Sequence, residues 1–330
     1  MECGTGPGSP QGTEAEEHGE RHGVMVLRVL RASVVKSIGQ TLSVEMMRNG
    51  IAGIDHIMIG VRDLERARMG WTRLGFTLTP RGRHLGQETA NYCIMFARDY
   101  LELLGFVARD DYAHRLETFL RHREGAMSVA FRPAGSAEDA AAALSALGLH
   151  PSEPRALGRQ LELPEGTVVP RFSLLTLPPE ETPALDCFLC GHLTPELVRR
   201  PEWLVHPNGV TGLRSIHILV PETAPLLPAY DRLFGMHEVT TTDAVASVRA
   251  GPYRLLFSTP DDFATMHPGI DIDPDFPLPG IAALELAIAD RGATADYLTQ
   301  WQIAYDEMPG GSLAVPAEEA NGTVLFLTDR

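Results

Sequence analysis

The stretch Gly53-Ile54-Asp55-His56-Ile57-Met58-Ile59-Gly60-Val61 decides the fold, because the pattern it opens recurs. It reads as an apolar strand. Asp63 then stands where a helix N-cap is expected, a helix runs from Leu64, and Gly75 in Leu74-Gly75-Phe76 supplies its stop. Further strands are readable at 76–80, 90–96 and 100–106. Gly212-Leu213-Arg214-Ser215-Ile216-His217-Ile218-Leu219-Val220 restarts the plan. A helix closes at Leu233-Phe234-Gly235, and strands follow near 237–241, 246–250 and 253–258. Two weaker copies open at Gly125 and Gly280. The first of these has Ser136 and Asp139 at capping-box spacing and a helix ending at Leu147-Gly148, then strands loosened by the Pro-rich stretch 151–183. The other has a helix past Tyr297 and Trp301 and a closing strand at 322–328. Stretches 200–212 and 260–279 read as linkers.

The chain is therefore expected to be an α+β protein of four βαβββ units in two tandem domains. These span 51–199 and 212–330, with 200–211 as the linker. Residues 1–50 read as a disordered extension, and an amphipathic helix over 25–37 is the alternative.

Composition narrows the function. With 44% hydrophobic and 22% charged residues, the 330-residue chain has a globular balance. A net charge of −15 argues against a duplex nucleic-acid partner, which calls for a basic face. No apolar run is long enough to span a membrane. Four cysteines are too few for a disulfide framework in a chain of this length, and Cys187-x-x-Cys190 lacks the second pair of a structural zinc site. Buried free thiols and a cytoplasmic protein are expected. A small-molecule substrate is the expected partner, and a homodimer is left open.

The histidines carry the chemistry. Counting three residues from each opening glycine gives His56, Ser128, Ser215 and Ala283. Matching Ile216-His217-Ile218 to Asp55-His56-Ile57 instead pairs the two histidines, and that alignment is adopted here. Side-by-side pairing of the first and third units would then aim both imidazoles into one concavity, a geometry that suits a metal. Glu102, between Leu101 and Leu103, points to the opposite face from them. A carboxylate there is costly to bury unless paired or coordinated. Its counterpart, aligning Tyr253 with Tyr100, is Leu255. The plainer readings are core histidines bonded to carbonyls and a solvated Glu102. His84, Thr89 and Asn91 line the cup or stabilise a loop. His192 is a fourth ligand, an acid–base group or a strand-end surface residue. His206 lines the site or belongs to a plain Pro-Asn-Gly turn, and Trp203 is a substrate wall or core.

The βαβββ units with strand-borne His and Glu resemble the vicinal-oxygen-chelate superfamily, which includes glyoxalase I, extradiol dioxygenases, epimerases and fosfomycin-resistance proteins. The loop Arg83-His84-Leu85-Gly86-Gln87-Glu88-Thr89-Ala90-Asn91 is similar to the H-x-G-x-x-T-x-N loop of its glyoxalase-like branch, and Tyr100-Leu101-Glu102-Leu103 follows. The likeness covers residues 51–330. It implies a divalent metal (Fe2+, Mn2+, Zn2+ or Ni2+) held by His56, Glu102 and His217, chelating a substrate through vicinal oxygens. The implied activity is isomerase- or lyase-like. His84 or His192 would move protons, and Thr89, Asn91 and His206 would orient the substrate. A ring-cleaving Fe(II) dioxygenase and a ligand-sequestering resistance protein are the alternatives. The family's usual four ligands are not all present, since Leu255 takes the fourth place.

Overall fold

The computed structural model describes Met1, residues 49–107 and residues 114–329. The readings for the 1–50 extension and for a helix over 25–37 fall outside these residues, apart from Met1, Asn49 and Gly50. The first half of the fold runs β1 (Ile51–Gly60), α1 (Leu64–Arg73), β2 (Gly82–His84), β3 (Thr89–Met95), β4 (Tyr100–Phe106), α2 (His114–His122), β5 (Gly125–Pro133), α3 (Ala137–Ala146), β6 (Arg155–Leu163), β7 (Gly166–Val168), β8 (Arg171–Thr176) and β9 (Cys187–His192). The second half runs β10 (Val210–Leu219), α4 (Leu227–Phe234), β11 (Val239–Thr241), β12 (Ala246–Ala250), β13 (Tyr253–Ser258), α5 (Pro260–Met266), β14 (Gly280–Ile288), α6 (Arg291–Gln300), β15 (Asp306–Glu307), β16 (Leu313–Val315) and β17 (Val324–Thr328).

Local chemistry explains these boundaries. The Asp63 carboxylate accepts from the Arg66 amide at 2.9 Å, and Ser136 with Asp139 forms a reciprocal capping box. Gly75 takes φ +87°, and a Cβ there would lie 2.6 Å from the Tyr297 ring, so only glycine fits. Two expectations fail. The segment 76–80 is not a strand: the Thr77 amide and hydroxyl bond to His206 Nδ1 and the Val205 carbonyl, taking this backbone off the ladder. Nor is 260–279 purely linker. Thr259 caps α5 by accepting from the Asp262 amide at 3.2 Å, with Pro260 in the first turn.

The first sheet has nine strands in the order β2-β3-β4-β1-β5-β9-β8-β6-β7, and a further pairing joins β2 to β6. All but β7 thereby close into a ring of eight, a size whose interior holds side chains or one small ligand. The second sheet has eight strands, β11-β12-β13-β10-β14-β17-β16-β15, and stays open. In each sheet the opening strands run antiparallel, β1 beside β5 and β10 beside β14. Units therefore pair one with two and three with four, which overturns the expected pairing of one with three. Ile54, Ile57 and Ile59 of β1 and Ile216 and Ile218 of β10 join Trp71 and Leu233 in one continuous core. Each such burial stabilises by roughly 1.5–3 kcal/mol. Asp99, at the β3–β4 turn, accepts from the Leu213 amide and the Tyr253 hydroxyl, at 2.9 and 2.8 Å, and ties the sheets together.

Candidate functional site

Strand register fixes which residues are equivalent. In the first sheet His56 lies opposite Ala130 and Met58 opposite Ser128. A two-fold exchanging β1 and β5 therefore maps His56 onto Ser128 and Met58 onto Ala130. Glu102 neighbours Met58 on β4, and Phe188 neighbours Ala130 on β9, so Phe188 holds Glu102's place in the second unit. In the second sheet Ser215 lies opposite Glu285 and His217 opposite Ala283. His56 thus corresponds to Ser215, and His217 corresponds to Met58. Counting from the glycines gives the true register, and the adopted histidine alignment is two residues out. Glu102's counterpart is Leu256, beside His217, not Leu255.

The structure brings His56, His84, Thr89 and Glu102 to one cavity of about 240 Å³ inside the ring. His56 Nε2 lies 3.3 Å from Glu102 Oε2, and His84 Nε2 lies 3.6 Å from Glu102 Oε1. Asn91 Nδ2 donates to Glu102 Oε1, and Thr89 Oγ1 holds His84 Nδ1 at 2.9 Å. Burial alone would raise the Glu102 carboxyl, but the hydrogen bond and charge of His56 outweigh it and hold it at about 2. Burial likewise opposes charge on His56, yet its bonds to Asp55 and Glu102 push it up to about 9. Burial pushes His84 down, so its imidazole favours the neutral form.

Behind His56 stands Asp55, which is 0% exposed. Its Oδ2 bonds His56 Nδ1 and His192 Nε2, each at 2.9 Å, and Oδ1 lies 3.5 Å from the guanidinium nitrogens of Arg132 and Arg199. Despite burial, the bonds from His192 and His56 hold this carboxyl far below the usual range. Sequence reasoning passed over Asp55. The signal was available, since an acid in an apolar strand is as anomalous as the His next to it.

The remaining expected residues lie elsewhere. His217 is buried on the second sheet, its ring 5.7, 5.0 and 5.5 Å from those of Phe263, His267 and Phe326. It therefore does not join His56 and Glu102. His192 sits one layer behind His56, sharing Asp55 with it, and does not border the cavity. His206 is buried; Nδ1 accepts from the Thr77 amide and Nε2 donates to the Met95 carbonyl, each at 3.0 Å, so it pins two loops rather than a substrate. Trp203 packs as core against Cys93, Met95 and Tyr100. Cys93, Cys187 and Cys190 are buried free thiols.

The donor set fits a divalent cation. A buried carboxylate and an imidazole face each other across a cavity, and Asp55 orients the imidazole from behind, as outer carboxylates do for metal-ligating histidines. Asp55, His56 and Cys190 also lie within mutual reach of one ion. That trio is not preferred, because two histidines and two arginines already engage the Asp55 oxygens. No helix among the described residues is long and apolar enough to cross a membrane.

A family model described as a glyoxalase-like domain matches residues 54–234. The chain belongs to this family, and with it to the vicinal-oxygen-chelate superfamily. No curated protein matches this glyoxalase-like chain in sequence. Among solved structures it is similar to a hypothetical protein from Staphylococcus aureus, at 10% identity and a TM-score of 0.60, covering 83% of this chain and 98% of that one. A 4-hydroxymandelate synthase variant from Streptomyces coelicolor matches at 13% identity and a TM-score of 0.49, over 84% and 92% of the two chains. A methylmalonyl-CoA epimerase from Mycobacterium tuberculosis matches at 17% and 0.33, over 43% and 89%. At these identities the likeness concerns fold alone.

Proposed function

We propose that this glyoxalase-like protein is a divalent-metal-dependent enzyme of isomerase or lyase type, acting on a small oxygenated molecule inside the closed ring. The observation that carries the reading is the buried Glu102 carboxylate, set between His56 and His84 at the wall of a cavity. His56 Nε2 and Glu102 would hold the metal. Asp55 keeps His56 in the orientation that presents Nε2, and Asn91 fixes the carboxylate. The cation would supply Lewis-acid stabilisation of charge developing on a bound oxygen. His84, neutral and anchored through Nδ1 by Thr89, presents Nε2 for accepting or delivering a proton. His56 and Glu102 are 3% and 5% exposed, and that burial strengthens the charge interactions between them.

Metal analysis of the purified protein is the test. Near-stoichiometric divalent metal is expected in the wild type, falling by about tenfold or more in His56→Ala and Glu102→Ala, as loss of a ligand implies. His217→Ala should retain it. A wild type without metal, or one whose metal is indifferent to both cup substitutions, would overturn the reading. Were His84 to join His56 and Glu102 as a ligand instead of moving protons, the set would have the composition of an Fe(II) oxygenase triad. Oxygen uptake with catechols after anaerobic Fe(II) loading would move the assignment to a dioxygenase. Tight ligand binding without turnover would move it to a sequestering protein.

A further inference from the structure

One charge in the ring is unaccounted for. Arg159 on β6 is 3% exposed and borders the same cavity as His56 and Glu102. It is the cross-strand partner of His84 in the β2–β6 pairing that closes the ring. Among the described residues it makes no ion pair. Its described side-chain hydrogen bond runs from one terminal nitrogen to Cys93 Sγ at 2.8 Å, and its Nε has no partner. A thiol is a neutral acceptor at ordinary pH, so that sulfur does not balance the guanidinium. The charge of Glu102 favours the guanidinium from across the cavity, but that carboxylate is engaged by His56 and Asn91 and makes no ion pair with it. A buried charge without a counter-ion is costly, and a protein keeps one where a ligand completes the pair.

The side chain is also built into place. Gly82 lies under its stem: a Cβ there would stand 2.8 Å from Arg159 Cδ. The guanidinium carbon lies 5.7 Å from the centre of the Phe172 ring. Met58, Leu104, Leu116, Met127, Leu157 and Leu174 make much of the remaining cavity wall apolar, and two exposed arginines, Arg115 and Arg155, stand at its rim.

We infer that Arg159 is an anion subsite, and that the ligand of the cup is a small monocarboxylate carrying an apolar body. Its carboxylate pairs with the Arg159 guanidinium beside His84, and its apolar part lies against the aliphatic wall. A guanidinium offers a planar fork that a carboxylate matches with two hydrogen bonds, and a neutral amide does not. This deepens the proposed function and rests on it only for where the reacting oxygens sit.

Calorimetric binding of phenylacetate and hexanoate, each against its amide, tests the inference without any metal. In the wild type the acids should bind about tenfold or more tightly than the amides, as an unpaired buried cation demands. In Arg159→Gln the acid and amide should come within about twofold, because the charge that tells them apart is gone. Arg159→Lys should fall between, keeping the charge and losing the fork. Should Arg159→Gln not fold, the acid–amide comparison in the wild type decides alone. Acid and amide bound alike, neither acid bound, or benzylphosphonate preferred over phenylacetate would each overturn it. Loss of metal binding with the acid preference intact would strike the proposed function and spare this subsite. The reverse outcome would strike only the subsite.

Discussion

The two sheets share one plan and use their concave faces in opposite ways. In the first, the β2–β6 pairing closes a ring around a cavity that keeps His56, Glu102 and Arg159 on its wall. In the second the sheet stays open, and its face is filled by Phe263 of α5, 0% exposed, and by His267 at the end of that helix, whose ring stacks on Phe326 at 4.5 Å. At the positions of His56, Glu102, Ser128 and Phe188 the second sheet carries Ser215, Leu256, Ala283 and Phe326. Three of those replacements remove a donor or shrink one and the aromatic is kept, while His217 and Glu285 stand where the first sheet has Met58 and Ala130. Chemistry needs polar groups beside empty space, whereas stability favours filling that space, and on the proposed function one plan serves both ends.

The largest test of this contrast compares the equivalent aromatics. Phe326 is 3% exposed inside a packed cluster, while half-buried Phe188 borders the cavity. Phe326→Ala should destabilise by about 3–5 kcal/mol, the range for a truncated core aromatic. Phe188→Ala should cost less than half of that in the same denaturation experiment. Equal losses would mean that the first cup is as tightly filled as the second, and the contrast would break.

A second test uses acid. Burial, with a smaller contribution from the charge of His267, depresses His217 to about 3 from the ordinary histidine value of 6.5. The unfolded chain therefore binds a proton that the folded chain refuses between those values. The associated stability is complete above about 6.5 and is lost as pH falls toward 3. Between pH 7 and pH 4.5 the loss should be roughly 2–3 kcal/mol from this group. His217→Leu should flatten that part of the profile. An unchanged slope would show that water or a counter-ion reaches the ring.

Much of this fold was legible in the sequence. Glycine-started strands, the Asp63 cap, the Ser136–Asp139 box and the strand over 100–106 all stand where their patterns put them. The grouping of the candidate site was legible where its members lie within one unit: His56, His84, Thr89 and Glu102 all come from β1 to β4 and meet at one cavity. It failed where the reading depended on which units pair. Offsets of three and five from the glycine fall on the same strand face, so alternation could not separate Ser215 from His217. The Ile-His-Ile match then won on local likeness against the glycine count. Arg159 was invisible for a similar reason. Its strand lies in a Pro-rich stretch, and the partner that gives it meaning, His84, is 75 positions earlier and meets it only through ring closure. The cap at Thr259 is written in Thr259-Pro260-Asp261-Asp262, but Pro and Asp at that density are equally the composition of turns.

The smallest effect bears on the same contrast. Ser128 holds His56's place across the two-fold, is 0% exposed, and its hydroxyl finds no partner among the described residues. Its counterpart in the second sheet is Ala283, fully buried without a polar atom. If Ser128 is only a relic of the shared plan, Ser128→Ala removes an unsatisfied buried hydroxyl. The protein should then be unchanged or more stable by up to about 1 kcal/mol, the lower end of the penalty for such a group. Metal content and phenylacetate affinity should stay at wild-type levels. A fall in melting temperature would instead give the hydroxyl a partner, and a fall in ligand affinity would place that partner in the cup. The second unit would then contribute a donor to the site, and the division between a chemical sheet and a structural one would run within the ring as well as between the sheets.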